Sequence, residues 1–161
     1  MVEPIVKSID VPCPQAMAFD VFIKDMATWW PMTKFSVSAM GGFKAKGLKV
    51  DAKLGGTIVE VSFDGVEHLW GTITAFNPYD SVLMDFHIGR PGEPMSNLEI
   101  TFQALGEKST RVKLTQTNWE AFGEKAPWMR DGYFKGWAVI FDEAYRGACG
   151  AEPVAKAGPS R

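Results

Sequence analysis

From residue 57 to residue 117 the chain reads as five strand-like runs divided by turn signals, and from about Trp128 it becomes one helical stripe. The runs are 57–63, 66–76, 81–88, 97–105 and 110–117, rich in β-branched and aromatic residues. Asp64-Gly65 is a two-residue hairpin signal, and Gly106-Glu107-Lys108-Ser109 is a second hairpin loop. The stripe is Tyr133, Trp137, Ile140, Phe141, Ala144 and Ala148, spaced to one face of a helix. A single amphipathic helix lying across a strongly twisted sheet covers it incompletely, so a cavity between them is the natural outcome. The pattern therefore predicts an α+β fold: a curved antiparallel sheet wrapped around a long C-terminal helix, with an internal apolar cavity.

The N-terminal third adds fewer elements. Residues 5–11 read as a first strand, ended by Pro12-Cys13-Pro14. Pro14 suits the first position of a helix, because its missing N–H has no intrahelical partner to lose. Phe19, Phe22, Ile23 and Met26 then recur at helical spacing, and Pro31 after Trp29-Trp30 stops any continuation. Residues 48–52 fit a short edge strand. Gly136 stands in mid-helix, where it costs about 1 kcal/mol against Ala and so calls for a close approach of neighbouring atoms. The domain is predicted over residues 1–149, with a disordered tail over 150–161.

Composition narrows the function. The 161 residues suit one domain, and 46% hydrophobic residues supply a core without disulfides. With 17 Lys+Arg dispersed among 19 Asp+Glu, no basic stripe forms, which argues against a nucleic-acid partner. The N-terminus lacks a signal-peptide pattern and no run approaches a membrane span, so a cytoplasmic protein without membrane insertion is expected. Cys13 and Cys149 have no metal-type spacing and are read as reduced thiols. Homodimerisation stays open. The 6 Trp, 11 Phe and 8 Met suit either a large core or a lined cavity.

Register is arguable for one hairpin. With 77–80 as its loop, Phe76 faces Ser81, Ala75 faces Val82, Ile73 faces Met84 and Gly71 faces Phe86. One side then collects Leu69, Gly71, Ile73, Ala75, Val82, Met84 and Phe86, and is taken as the inner face. The other collects His68, Trp70, Thr72, Asp85 and His87, and is expected to face outward. Glu60, alternating away from Val59 and Val61, is likewise expected to be exposed.

Catalytic motifs are absent. No Gly-x-Ser-x-Gly occurs, neither Cys has a His near it in sequence, and the paired glycines lack the Lys of a phosphate loop. His68, Asp85 and His87 are the candidates for acid–base chemistry, but too few ligands gather for a zinc site, so no metal and no cofactor is predicted. Trp29 and Trp30 can wall a pocket or plug the core. Tyr133, at the start of the stripe, is the best-placed polar group. The predicted pocket lining is Trp29, Trp30, Ile73, Met84, Phe86, Ile100, Phe102, Tyr133, Trp137 and Phe141.

Four stretches in order carry a family resemblance across residues 3–149. They are Val11-Pro12-Cys13-Pro14 leading into Phe19-Asp20-Val21-Phe22, then Trp29-Trp30-Pro31, then Trp70-Gly71-Thr72-Ile73 with Asn77-Pro78, and finally Gly132-Tyr133-Phe134-Lys135-Gly136-Trp137. In these the chain resembles the family named after the activator of the heat-shock protein 90 ATPase, within the START-like, helix-grip (SRPBCC) superfamily. The resemblance implies a fold and a cavity, not a reaction, since the superfamily holds cyclases, hydrolases and lipid carriers. The first expectation is a binding domain for a small hydrophobic or aromatic ligand. The alternatives are an enzyme using the same cavity, which an inward His or carboxylate favours, and a protein–protein adaptor related to co-chaperone domains, with Trp70 in an exposed patch.

Overall fold

Seven antiparallel strands in the order β1-β7-β6-β5-β4-β3-β2 form the sheet in a computed structural model that describes residues 2–89 and 94–150. The strands are β1 (Ile5–Val11), β2 (Gly47–Val50), β3 (Thr57–Val61), β4 (Glu67–Asn77), β5 (Ser81–Phe86), β6 (Ser96–Gly106) and β7 (Ser109–Thr117). From β2 to β7 each strand pairs with its chain neighbour, while β1 crosses over to pair with β7. Short helices α1 (Gln15–Ile23), α2 (Met26–Trp29) and α3 (Val37–Met40) lie between β1 and β2. Pro14 stands just outside α1 in extended conformation, one residue earlier than its predicted place inside the helix.

The C-terminal helix follows a 3₁₀ segment, Trp119–Lys125. It runs as α4 (Ala126–Val139), widens to a π-helical turn over Ile140–Tyr145, and closes with α5 (Arg146–Ala148). Helix and curved sheet together make a helix-grip architecture. Phe19, Phe22, Phe86, Phe141, Tyr145 and five indoles fill the interior between them. Each buried indole N–H is bonded, as burial requires. Trp29 donates to Val21 O at 2.6 Å, Trp30 to Phe35 O at 2.8 Å, and Trp137 to Gln116 Oε1 at 2.8 Å. The predicted tail over 150–161 lies, beyond Gly150, outside the described residues.

Strand β4 corrects the predicted facing. The pairs Ile73–Met84 and Gly71–Phe86 are present, but Ala75 pairs with Leu83 and Phe76 with Val82 rather than with Val82 and Ser81, because β4 is irregular at two places. Against β3 the pairing jumps from Gly71 to Leu69, and against β5 from Ile73 to Ala75. Each bulge inserts a residue and exchanges the inward and outward positions beyond it. Trp70 and Gly71 are therefore both buried, and Leu69 turns outward. The close approach at this kink requires glycine, because a Cβ on Gly71 would stand 2.2 Å from Asp85 O.

Glu60 moves inward with Trp70, against the expected exposure, and is fully buried. Its two oxygens accept from Val37 N at 2.7 Å, Ser38 N at 2.9 Å, Ser38 Oγ at 2.8 Å and Trp70 Nε1 at 3.1 Å. A buried carboxylate is tolerable only when its lone pairs are satisfied in this way. The result is a tie between β3, β4 and the start of α3. Asp85 alternates with the buried Met84 and Phe86, as an outer-face position does, and is half-buried there, accepting from Thr72 N at 2.8 Å. His68 is also half-buried.

Candidate functional site

Helix α4 does not bury all of its inner side. Met129, Gly132, Tyr133, Gly136 and Ile140 recur every three or four residues, and they form one wall of a cleft of about 1240 Å³. Phe35, Val37 and Met40 face them from the α3 region, and Phe122 contributes from the 3₁₀ segment. His87, Ile88 and Gly89, just after β5, complete the lining with Lys34, Lys125 and the exposed Trp128 at its rim. The cleft owes its room to glycine. A Cβ on Gly132 would meet nothing within 4 Å, whereas one on Gly136 would touch the Phe35 ring at 3.4 Å.

The deepest lining residues are Ile88, Gly136, Ile140 and His87, which is 6% exposed. His87 was expected on the outer face. It follows the last residue of β5; its N–H makes the closing bond of the ladder, to Trp70 O at 2.8 Å, beside the bulge in β4, and no further strand pair sets the direction of its side chain. Its Nδ1 lies 3.1 Å from the Tyr133 hydroxyl, which also accepts from Ile88 N at 2.8 Å. Burial pushes the Tyr133 pKa well above the usual phenol range, only partly offset by the Ile88 N–H. The group therefore remains a neutral hydroxyl. The Phe122 ring meets His87 edge-on at 5.1 Å. At the rim, Lys135 and Asp131 pair at 3.1 Å, an exposed contact of little energetic weight.

Of the predicted lining, Tyr133 borders the cleft. Trp29, Trp30, Ile73, Met84, Phe86, Ile100, Phe102, Trp137 and Phe141 are buried in the interior behind it. Phe86 and Trp137 stand next to the Tyr133 ring, at centroid distances of 6.3 and 6.4 Å. The sequence reading overlooked Phe35, Met40, Phe122, Trp128 and Met129. A signal for the helical part existed: Met129, Tyr133, Gly136 and Ile140 make a second face beside the predicted stripe, with glycines where bulk is missing.

The site's chemistry is that of an apolar groove with one hydrogen-bonding pair at its floor. Among the described residues no group of three or more His, Cys, Asp or Glu is placed to hold a metal ion. None of their helices is long and apolar enough to cross a membrane.

Residues 12–143 match the family model described as activator of Hsp90 ATPase homolog 1-like protein. No curated protein sequence matches the chain. Among solved structures, the chain is similar to CalC, a self-sacrificing resistance protein from Micromonospora echinospora. The two are 26% identical with a TM-score of 0.70, over 95% of this chain and 97% of that one. It shares its fold with an anthrahydroquino-γ-pyrone synthase, at 22% identity and TM-score 0.63 over 91% and 97% of the two chains. An HSP90 activator from Plasmodium falciparum has the same fold at 18% identity and TM-score 0.52, over 85% and 94%.

Proposed function

The chain belongs to the activator of Hsp90 ATPase homolog 1-like family, and on that footing we propose that it binds a small apolar or aromatic molecule in the cleft beside its C-terminal helix. The family fold leaves activity to the site, and the named neighbours span an enzyme, a resistance protein and a chaperone activator. The observation that carries the reading is the glycine-cleared wall of α4. It opens a cleft of about 1240 Å³ against Phe35, Met40 and Phe122, with the buried His87 and the half-buried Tyr133 as its polar pair. Apolar walls with few convergent polar groups are the usual make-up of a small-molecule site. Phe86 and Trp137 belong to the proposed site as the backing that fixes the Tyr133 ring.

The test is Gly132→Leu. Its side chain enters open space in the cleft, and leaving glycine favours the helix by about 0.8 kcal/mol. The variant is expected to keep or raise its melting temperature while losing binding of an environment-sensitive apolar dye. Undiminished dye binding in the folded variant would overturn the proposal.

The inward His87 favours a second reading, an enzyme using the same cleft. Tyr133, held protonated, serves as a donor, and His87 is then the group able to take a proton. Repeated incubation separates the readings. A carrier returns a co-purified molecule unaltered, whereas an enzyme returns it changed, and His87→Gln stops the change while binding persists. The adaptor reading loses its anchor, because Trp70 is buried.

A further inference from the structure

We propose that the cleft selects, among apolar ligands, those carrying a hydrogen-bond acceptor such as a carbonyl oxygen, and that the Tyr133 hydroxyl holds this acceptor with His87 as its partner. The inference rests on the cleft being a binding site and adds the class of molecule it prefers.

A phenol hydroxyl has one hydrogen to give and two lone pairs to receive. Ile88 N–H already occupies one lone pair at 2.8 Å. His87 Nδ1, at 3.1 Å, can meet the hydroxyl in either sense. When Nδ1 carries its proton, both lone pairs of the hydroxyl are filled and its hydrogen has to point to a third group. When Nδ1 is bare, the hydrogen rests on the imidazole until a better acceptor arrives. A tautomer change in His87 therefore releases the Tyr133 hydrogen to a ligand without moving either ring.

The surroundings make this donor count. Among the described lining residues, the polar side chains other than Lys, Asp and Glu are His87, Tyr133 and the exposed Trp128, and the lining also holds Ile88, Gly136, Ile140 and Phe122. A carbonyl buried against such walls loses its water and has to regain a bond or be penalised. Burial keeps Tyr133 protonated, so the hydroxyl offers a hydrogen rather than a negative oxygen. A ligand that places an acceptor-free edge at the floor gains nothing from this pair. An acceptor on a flat apolar frame fits it.

The experiment compares two probes with the same tricyclic skeleton, fluorene and 9-fluorenone, which differ by the carbonyl. Binding to wild type and Tyr133→Phe is measured by quenching of tryptophan fluorescence. Tyr133→Phe is expected to weaken 9-fluorenone roughly tenfold, the scale of one hydrogen bond in a dry site, and to leave fluorene unchanged. Equal effects on both probes, or none on either, would overturn the inference while the binding reading stands. Failure of both probes to bind wild type would remove the binding reading and this inference with it. Infrared spectroscopy of 9-fluorenone bound to wild type gives a check independent of the variant's folding. A carbonyl stretch shifted below its position in alkane solvent is expected, and an unshifted stretch would refute the assignment.

Discussion

The indole nitrogen of Trp70 donates to the carboxylate of Glu60 across 3.1 Å, and both side chains are fully buried. The same carboxylate receives two backbone N–H groups and a hydroxyl from Val37 and Ser38. Glu60→Ala would leave these donors without an acceptor, each orphan costing about 1–3 kcal/mol. The variant is expected to lose at least about 3 kcal/mol in urea unfolding. Trp70→Phe removes one donor and keeps the ring, and a loss of about 1–3 kcal/mol is expected. A near-neutral Glu60→Ala would show the tie to be dispensable.

Gly71 faces a harder constraint than any glycine of the cleft. Its added Cβ would fall 2.2 Å from a backbone oxygen of the neighbouring strand, which cannot swing aside like a side chain. Gly71→Ala is expected to cost at least the upper end of overpacking, about 3 kcal/mol, by equilibrium denaturation.

Gly136 gives a graded contrast. The atom its Cβ would touch is a ring edge of Phe35 at 3.4 Å, and Ala favours the helix by about 0.8–1 kcal/mol. Gly136→Ala is therefore expected to change stability by less than about 1 kcal/mol. In Phe35→Leu, where the ring no longer crowds the position, the same substitution should become clearly stabilising, by about 0.5–1 kcal/mol. Thermal melts of the four proteins form the test, and no coupling between the sites would contradict the contact.

The two thiols make an alkaline prediction. Cys13 and Cys149 are free and buried. Burial pushes the Cys149 pKa up to about 12, chiefly by desolvation, and raises that of Cys13. An unfolded thiol ionises near pH 8.5, so the folded chain binds more protons between that pH and about 12. The stability from this group is complete below pH 8.5 and declines as pH rises. The melting temperature is expected to fall from pH 8 to pH 10.5, less steeply in Cys149→Ala. A thiol reagent at pH 8 should leave the native protein unmodified and label both cysteines after unfolding.

The sheet and the helix were legible because each imposes its period on many residues at once. The strands of the meander, the pairs Ile73–Met84 and Gly71–Phe86, and the stripe through Trp137 and Phe141 all follow from that. What periodicity cannot carry is a break in itself. One inserted residue at Trp70 reverses the strand beyond it and hid the inward turn of Trp70, whereas β3 alternates without a break and puts Glu60 on the buried side with Ile58. His87 lay just past a strand end, where alternation says nothing. Its partner Tyr133 comes from an element 46 residues away. The wall of α4 was harder to see for another reason. A cleft is marked by glycines and small contacts, and hydrophobic patterning scores bulk.

The pairing of β1 with β7 joins Ile5 to Gln116 and Val11 to Thr110. The first strand of the sheet is thus matched to the last, and it has no ladder to enter until the meander between them exists. Meanwhile its partners are water and whatever else is nearby, and Val6 remains largely uncovered even in the finished protein. Closing so large a loop is entropically slow. Closure of the sheet should therefore wait for β7, with the N-terminal strand docking only after the meander has formed.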